Sequence, residues 1–184
     1  MNLFSELLFL ISEHLIKGIF ISVLVIIGAK VLSGNKIETE ISKQILRWII
    51  VSYSLGTLHN FILSLIISDP NNYKFFDRLT GPYWWAYWMM LNTTSALPLI
   101  LLKNKFGRNL YLILLVGLLM NIGWIFESMV IHATSTHREY TTEYYYHYLP
   151  YSRERIILMK GLIVGLIALL IENIVKKWPV RNKE

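Results

Sequence analysis

Acidic, imidazole and amide side chains interrupt the apolar stretches of this sequence where they could carry proton or ligand chemistry. Such side chains are costly inside a bilayer, and where they occur there they indicate function by default. Carboxylates and imidazoles can pass protons, and both can form hydrogen bonds to a quinone. The residues of this kind are Glu13, His14, His59, Asn92, Asn121 and Glu127.

Depth along the predicted helices places most of these residues in the outer part of the membrane. At a rise of about 1.5 Å per residue, Glu13 lies roughly 8 Å from the outer surface and Glu127 lies roughly 10 Å from it. His59 lies at about 13 Å on the same scale. We therefore predict proton transfer by Glu127 and His59. The residues predicted to bind or support a quinone are Glu13, His14, Trp88, Asn92 and Asn121.

A structural interpretation competes with this functional one. Amides such as Asn92 and Asn121 also form hydrogen bonds between membrane helices, worth roughly 0.6–2 kcal/mol each. Lys17 can pair with Glu13 or extend toward the headgroups. His14, at a depth comparable to that of His59, would also allow axial haem ligation, although two histidines on neighbouring spans carry little specificity.

Five apolar stretches must position these side chains. Each is long enough to supply the roughly 20 residues that cross a hydrocarbon core. They cover about 8–32, 44–68, 82–102, 109–134 and 155–176. We therefore expect an all-α integral membrane protein, a helical bundle of about five transmembrane helices that forms a single transmembrane domain over residues 1–184.

Composition agrees with a membrane location and excludes several functions. Of the 184 residues, 54% are hydrophobic and 16% are charged, against about 25% charged in soluble domains. The absence of cysteine excludes iron–sulfur ligation, a thiol nucleophile and a disulfide. The net charge of +6 is concentrated near helix ends, which indicates membrane topology rather than a nucleic-acid partner. No metal motif stands out, so we expect no metal and no cofactor held by this chain alone, with a quinone as the possible ligand.

Basic residues predict the orientation. The side that holds residues 33–43, 103–108 and the C-terminal tail carries about nine Lys and Arg, against about five on the other side. Because cytoplasmic loops are enriched in Lys and Arg, we expect the N-terminus outside and the C-terminus in the cytoplasm. Tyrosine and tryptophan residues that crowd the outer side, around 83–88 and 140–151, fit an interfacial belt or the lining of a quinone groove.

The stretch from Asp77 to Tyr148 resembles a known family. Three blocks carry the resemblance, namely GPYWWAYW from Gly81, NIGWIFE from Asn121 and TSTHREY from Thr134. In this order they resemble the polysulfide reductase membrane-subunit family (NrfD type), with the closest likeness to the quinol-oxidising membrane subunits of alternative complex III. Ser128 stands where the family has an arginine, and His59 stands where it commonly has an acidic residue.

The resemblance implies a function and partners. Family members have about ten helices in two bundles, and this chain is similar to the C-terminal half, whereas the family's quinone site is usually placed in the first bundle. The resemblance implies a bacterial inner-membrane location and partner subunits, both membrane-bound and redox-active, that carry haem and iron–sulfur centres. The chain would then be a non-autonomous subunit of an oxidoreductase complex.

Three functions follow from these observations. The first is a membrane subunit of a quinone-linked respiratory electron-transfer complex that supports quinol binding or proton movement. The second is a structural anchor or assembly subunit without its own chemistry. The third is a small proton-coupled transporter or channel, with Glu127 and His59 on the proton path.

Overall fold

The computed structural model describes residues 3–34, 36–67, 79–82, 84–125 and 151–177, and every regular element in these ranges is helical. The α-helices are α1 (Leu3–Ile11), α2 (Ile19–Leu32), α3 (Glu40–Ile67), α4 (Trp84–Leu91), α5 (Asn104–Gly107), α6 (Leu110–Met120) and α7 (Tyr151–Lys177). A π segment, Ser12–Ile16, joins α1 to α2. A second π segment, Asn92–Ala96, follows α4 and continues into a 3₁₀ segment, Leu97–Leu102.

Three helical stretches are long and apolar enough to cross a membrane, which confirms the all-helical class and the membrane character of the chain. They are Leu3–Leu32, Glu40–Ile66 and Arg155–Lys177, and they correspond to the first, second and fifth predicted spans. In the third predicted span the structure has α4 and the two segments after it. In the fourth it describes α6, a shorter apolar helix, and residues 126–134 lie outside the described part. The count of five spans therefore stays a prediction.

Local sequence sets several helix ends. Gly34 follows α2 with φ of 61°, a left-handed conformation that glycine adopts without a side-chain clash, and its N–H donates to the carbonyl of Val31. Asn109 caps α6, because its side-chain oxygen accepts from the N–H groups of Tyr111 and Leu112. These two signals end the first long stretch and start the fourth near the predicted positions.

The core of the bundle lies where α2, α3, α6 and α7 meet. Fully buried aliphatic side chains from three of these helices fill it, including Ile19, Val23, Ile50 and Ile113. Small residues let α2 and α7 approach closely. A Cβ placed on Gly161 of α7 would lie 2.5 Å from the Gly18 carbonyl oxygen, and the Ser22 hydroxyl donates to the Gly161 carbonyl at 2.8 Å. Such small-residue contacts are the usual basis of close helix packing in membranes.

Polar contacts join three chain segments at one end of the bundle. The Lys176 ammonium lies 2.9 Å from a carboxylate oxygen of Glu38. The Arg47 guanidinium donates to the Leu102 carbonyl at 2.7 Å, and Lys43 donates to the Arg108 carbonyl at 3.4 Å. The segments near residues 38–47, 102–108 and 176 thus share one end, as the alternating path of the predicted spans requires. Which end faces the cytoplasm stays a prediction.

Candidate functional site

The first long helix contains a π segment at the position of two candidate residues, Glu13 and His14. In the π segment Ser12–Ile16, the Lys17 N–H donates to the carbonyl of Ser12, five residues earlier, at 3.1 Å. Glu13 and His14 lie in this turn. The Glu13 carboxylate pairs with Lys17 one turn further along, and His14 is exposed. Single π turns inside α-helices occur frequently at functional sites.

Side chains from two other helices donate hydrogen bonds to this π turn. Lys160 of α7 donates from its ammonium group to the Glu13 carbonyl at 3.3 Å. Asn121, at the end of α6 and only 3% exposed, donates to the Ile16 carbonyl at 3.0 Å and to the Gly117 carbonyl at 2.8 Å. The bond to Ile16 is an interhelical hydrogen bond of the kind that the structural interpretation of Asn121 expects.

His59 lies away from the π turn, on the exposed side of α3. Its imidazole meets the ring of Phe4 edge-to-face, with centroids 5.5 Å apart. Trp88, in α4, is partly exposed, and its indole N–H donates to the Leu79 carbonyl at 3.3 Å. Its ring packs edge-to-face on Phe61, two residues after His59, with centroids 5.9 Å apart.

An apolar groove of about 650 Å³ runs between α1 and α3 and continues beside the first π segment. Aliphatic and aromatic side chains form most of its walls, among them Phe4, Leu8, Ile11, Ile45, Trp48 and Ile49. Gly56 lies at the same end as Phe4, and a Cβ there would lie 2.8 Å from a Leu8 methyl group. Phe4, which lines one end of the groove, also contacts His59, so the imidazole lies one contact away from the groove without lining it.

The second π segment begins at Asn92, whose side chain is exposed. Pro98, six residues later, has no N–H to donate to the carbonyls three and four residues before it. A side chain of α3 supplies a donor in its place, because the Ser54 hydroxyl donates to the Ser95 carbonyl. The Thr57 hydroxyl donates to the Ser54 carbonyl of its own helix at 2.8 Å and lies 3.5 Å from the Thr94 carbonyl. The Ser95 carbonyl is therefore satisfied by a neighbouring helix, as a bilayer requires.

Glu172 is a buried carboxylate that sequence reasoning missed. It lies in α7 at 1% exposure and accepts from both the backbone N–H and the hydroxyl of Ser42, at 2.8 and 2.9 Å. Its other oxygen lies 3.2 Å from the Lys176 ammonium. Since Ser42 is in the first turn of α3, Glu172 caps the start of one long helix from the end of another.

The predicted site residues therefore fall into separate places in the described part of the chain. Glu13 and Asn121 belong to the contacts around the first π turn, and His59 contacts Phe4 at one end of the groove. Asn92 and Trp88 lie in and before the second π segment. Glu127 and the tyrosine-rich loop at 140–151 lie outside the described residues, apart from the backbone of Tyr151. The chemical roles assigned to all of them stay predictions.

The chain matches no known protein-family model, no curated protein and no solved structure.

Proposed function

We propose that the chain is a membrane subunit of a quinone-linked respiratory electron-transfer complex, in which it supports quinol binding or proton movement while partner subunits carry the redox centres. The observation that carries the proposal is the apolar groove between α1 and α3, which ends where Phe4 meets His59. The tryptophan-rich, asparagine–glutamate and histidine–arginine blocks of the sequence support the same class of complex.

The shape and chemistry of the groove suit a polyprenyl quinol. Its wall on α3 runs from Ile41 to Gly56, which at about 1.5 Å per residue is roughly 22 Å, about three quarters of a hydrocarbon core of about 30 Å. Apolar walls suit an isoprenoid tail, and the imidazole of His59, in contact with Phe4 at one end, suits hydrogen bonding to a quinol oxygen. In this proposal His59 and Glu127 pass the proton, and the outer face of a bacterial inner membrane is the side they serve.

A second candidate is a structural anchor, and the buried polar side chains favour it. Asn121, Ser22, Ser54 and Glu172 are all buried and all form hydrogen bonds to another helix. Such bonds hold a bundle together without chemistry. This candidate predicts that the groove contains ordinary lipid and that blocking it changes nothing in an assembled complex.

A photolabelling experiment separates the two candidates. The protein, purified in mild detergent from its native membrane, is irradiated with a photoreactive polyprenyl quinone, and partner subunits are identified by mass spectrometry and a visible spectrum. Ser52→Trp places an indole in the groove, whereas Leu55→Trp places the same group one turn further along α3 at an exposed position that does not line the groove.

We expect Ser52→Trp to lower the apparent quinone affinity by about tenfold or more, equivalent to about 1.4 kcal/mol, and Leu55→Trp to leave it unchanged. Equal labelling of both variants, in a preparation without haem or iron–sulfur partners, would overturn the proposal in favour of the anchor.

A further inference from the structure

The π turn in the first long helix determines which side chains of α1 face α3. A π turn contains one more residue than the α-helical path between the same two points. If residues 12–16 were α-helical, the part of the helix before them would rotate by about 100° and move by about 1.5 Å relative to α2. Each groove position on α1 would then be occupied by the next residue along the chain.

This change of register would alter the groove. Ser5, Phe9 and Ser12 would take the places of Phe4, Leu8 and Ile11. Two hydroxyl groups would replace two apolar side chains of the wall. Phe9, now 61% exposed, would be directed at Gly56, where the smaller Leu8 already lies in contact. The observed groove therefore exists only with the π turn in place.

Within the described residues, the charged side chain that reaches this turn from another helix is that of Lys160. In an α-helix the Lys17 N–H would donate to the Glu13 carbonyl. Here the Lys17 N–H donates to the Ser12 carbonyl instead, and the Glu13 carbonyl oxygen accepts a hydrogen bond from Lys160. A hydrogen bond from an ammonium group is stronger than one from a neutral amide. Gly161, the next residue, packs against Gly18, which brings the Lys160 backbone close to the turn.

We infer that Lys160 is a positioning residue that stabilises the π turn at Ser12–Ile16, sets the register of α1 against α3, and so selects the side chains that line the groove. Asn121 assists from α6 through its bond to the Ile16 carbonyl. The inference rests on the proposed function only for what the groove binds. The register itself can be measured without a ligand.

The chain contains no cysteine, so pairs of introduced cysteines report the register directly. One pair combines Leu8→Cys with Gly56→Cys, and the other combines Phe9→Cys with Gly56→Cys. Oxidative crosslinking of each pair in the purified full chain is compared in four backgrounds. These are the native sequence, Lys160→Met, Lys160→Arg and Lys177→Met, the last removing an exposed lysine from the end of the same helix.

In the native background we expect the 8/56 pair to crosslink in preference to the 9/56 pair. Lys160→Met should reverse this preference, because methionine keeps the length of the side chain but cannot donate to Glu13. Lys160→Arg should retain the native pattern, since it keeps a charged donor, and Lys177→Met should match it.

Two results would overturn the inference. An unchanged preference for 8/56 in Lys160→Met would show that the π turn does not depend on Lys160. Loss of both crosslinks would show that Lys160 attaches the helix to the bundle without setting its register. Neither result depends on quinone binding, so failure here is distinct from failure of the proposed function.

Discussion

Replacing Gly161 by alanine tests the close contact between α2 and α7. A Cβ at this position would lie 2.5 Å from the Gly18 carbonyl oxygen and 2.7 Å from the Ile21 Cβ, both far inside normal contact distance. The nearest obstacles are backbone and a β-carbon, which cannot rotate away. The two helices must therefore separate by roughly 1 Å, and a gap of that size removes a quarter to a half of the dispersion energy at each contact it opens.

The magnitude is best measured against a matched glycine. Gly28 lies in α2, and a Cβ added to it would meet no atom within 4 Å, so Gly28→Ala should be neutral or stabilising by up to about 1 kcal/mol through helix propensity. Gly161→Ala gains the same propensity term and loses packing, which typically costs about 1–3 kcal/mol. The difference in unfolding free energy between the two variants isolates the packing cost.

Titration of both purified variants with a denaturing detergent, followed by far-ultraviolet circular dichroism, measures this difference. We expect Gly161→Ala to be less stable than Gly28→Ala by about 1–3 kcal/mol. Equal midpoints would refute the reasoning, because they would mean that α2 and α7 do not approach each other through Gly161.

Three further predictions concern polar contacts and topology. Glu172→Ala removes the acceptor of the Ser42 N–H at the start of α3, while the Ser42 hydroxyl keeps the Ala168 carbonyl at 3.0 Å, and the loss should cost about 1–3 kcal/mol in the same unfolding assay. Glu172→Gln, which keeps an acceptor oxygen, should cost less, and equal losses would contradict the cap. Ser54→Ala should cost about 0.6–2 kcal/mol of unfolding free energy, because the hydrogen bond to the Ser95 carbonyl is lost. Pro98→Ala in the same background should recover part of this cost by restoring a backbone N–H. If it recovers none, the Ser54 hydrogen bond does not compensate for the proline. Single cysteines at Lys36 and Thr80 should react with an impermeant thiol reagent from opposite faces of the membrane, and labelling from one face would refute the predicted topology.

The long apolar helices were predictable from the sequence because hydrophobic length alone decides whether a helix can cross a bilayer. The predicted second span began near residue 44, whereas α3 begins at Glu40. A prediction from hydrophobicity omits this first turn because its side chains are mostly polar. The turn is helical nonetheless, because other segments form hydrogen bonds with it. The predicted first span ends at residue 32, where α2 also ends, and Gly34 is the local signal for this helix end.

The irregular segments and the polar contacts could not be predicted in the same way. Pro98 is visible in the sequence, but the donor that compensates for it, the Ser54 hydroxyl, comes from α3, 41 residues before the carbonyl that it reaches. In the sequence, Glu172 resembles an ordinary charged residue near a helix end. Its role as a cap becomes apparent only when the pairing of α7 with α3 is known. The four-residue spacings of Gly18 with Ser22 and of Gly161 with Gly165 are readable signals, but spacing does not specify which helices pair.

The contacts of α7 also have a consequence for how the protein is made. Membrane proteins are synthesised from the N-terminus, and α7 is the last of the described helices to leave the ribosome. Until it arrives, the Ser42 N–H and hydroxyl lack the acceptors that α7 supplies, whereas the Ser22 hydroxyl still has the Gly18 carbonyl of its own helical stretch within 3.3 Å. The cap at the start of α3 therefore forms only after α7 has been made, so a chain arrested before residue 151 would lack it.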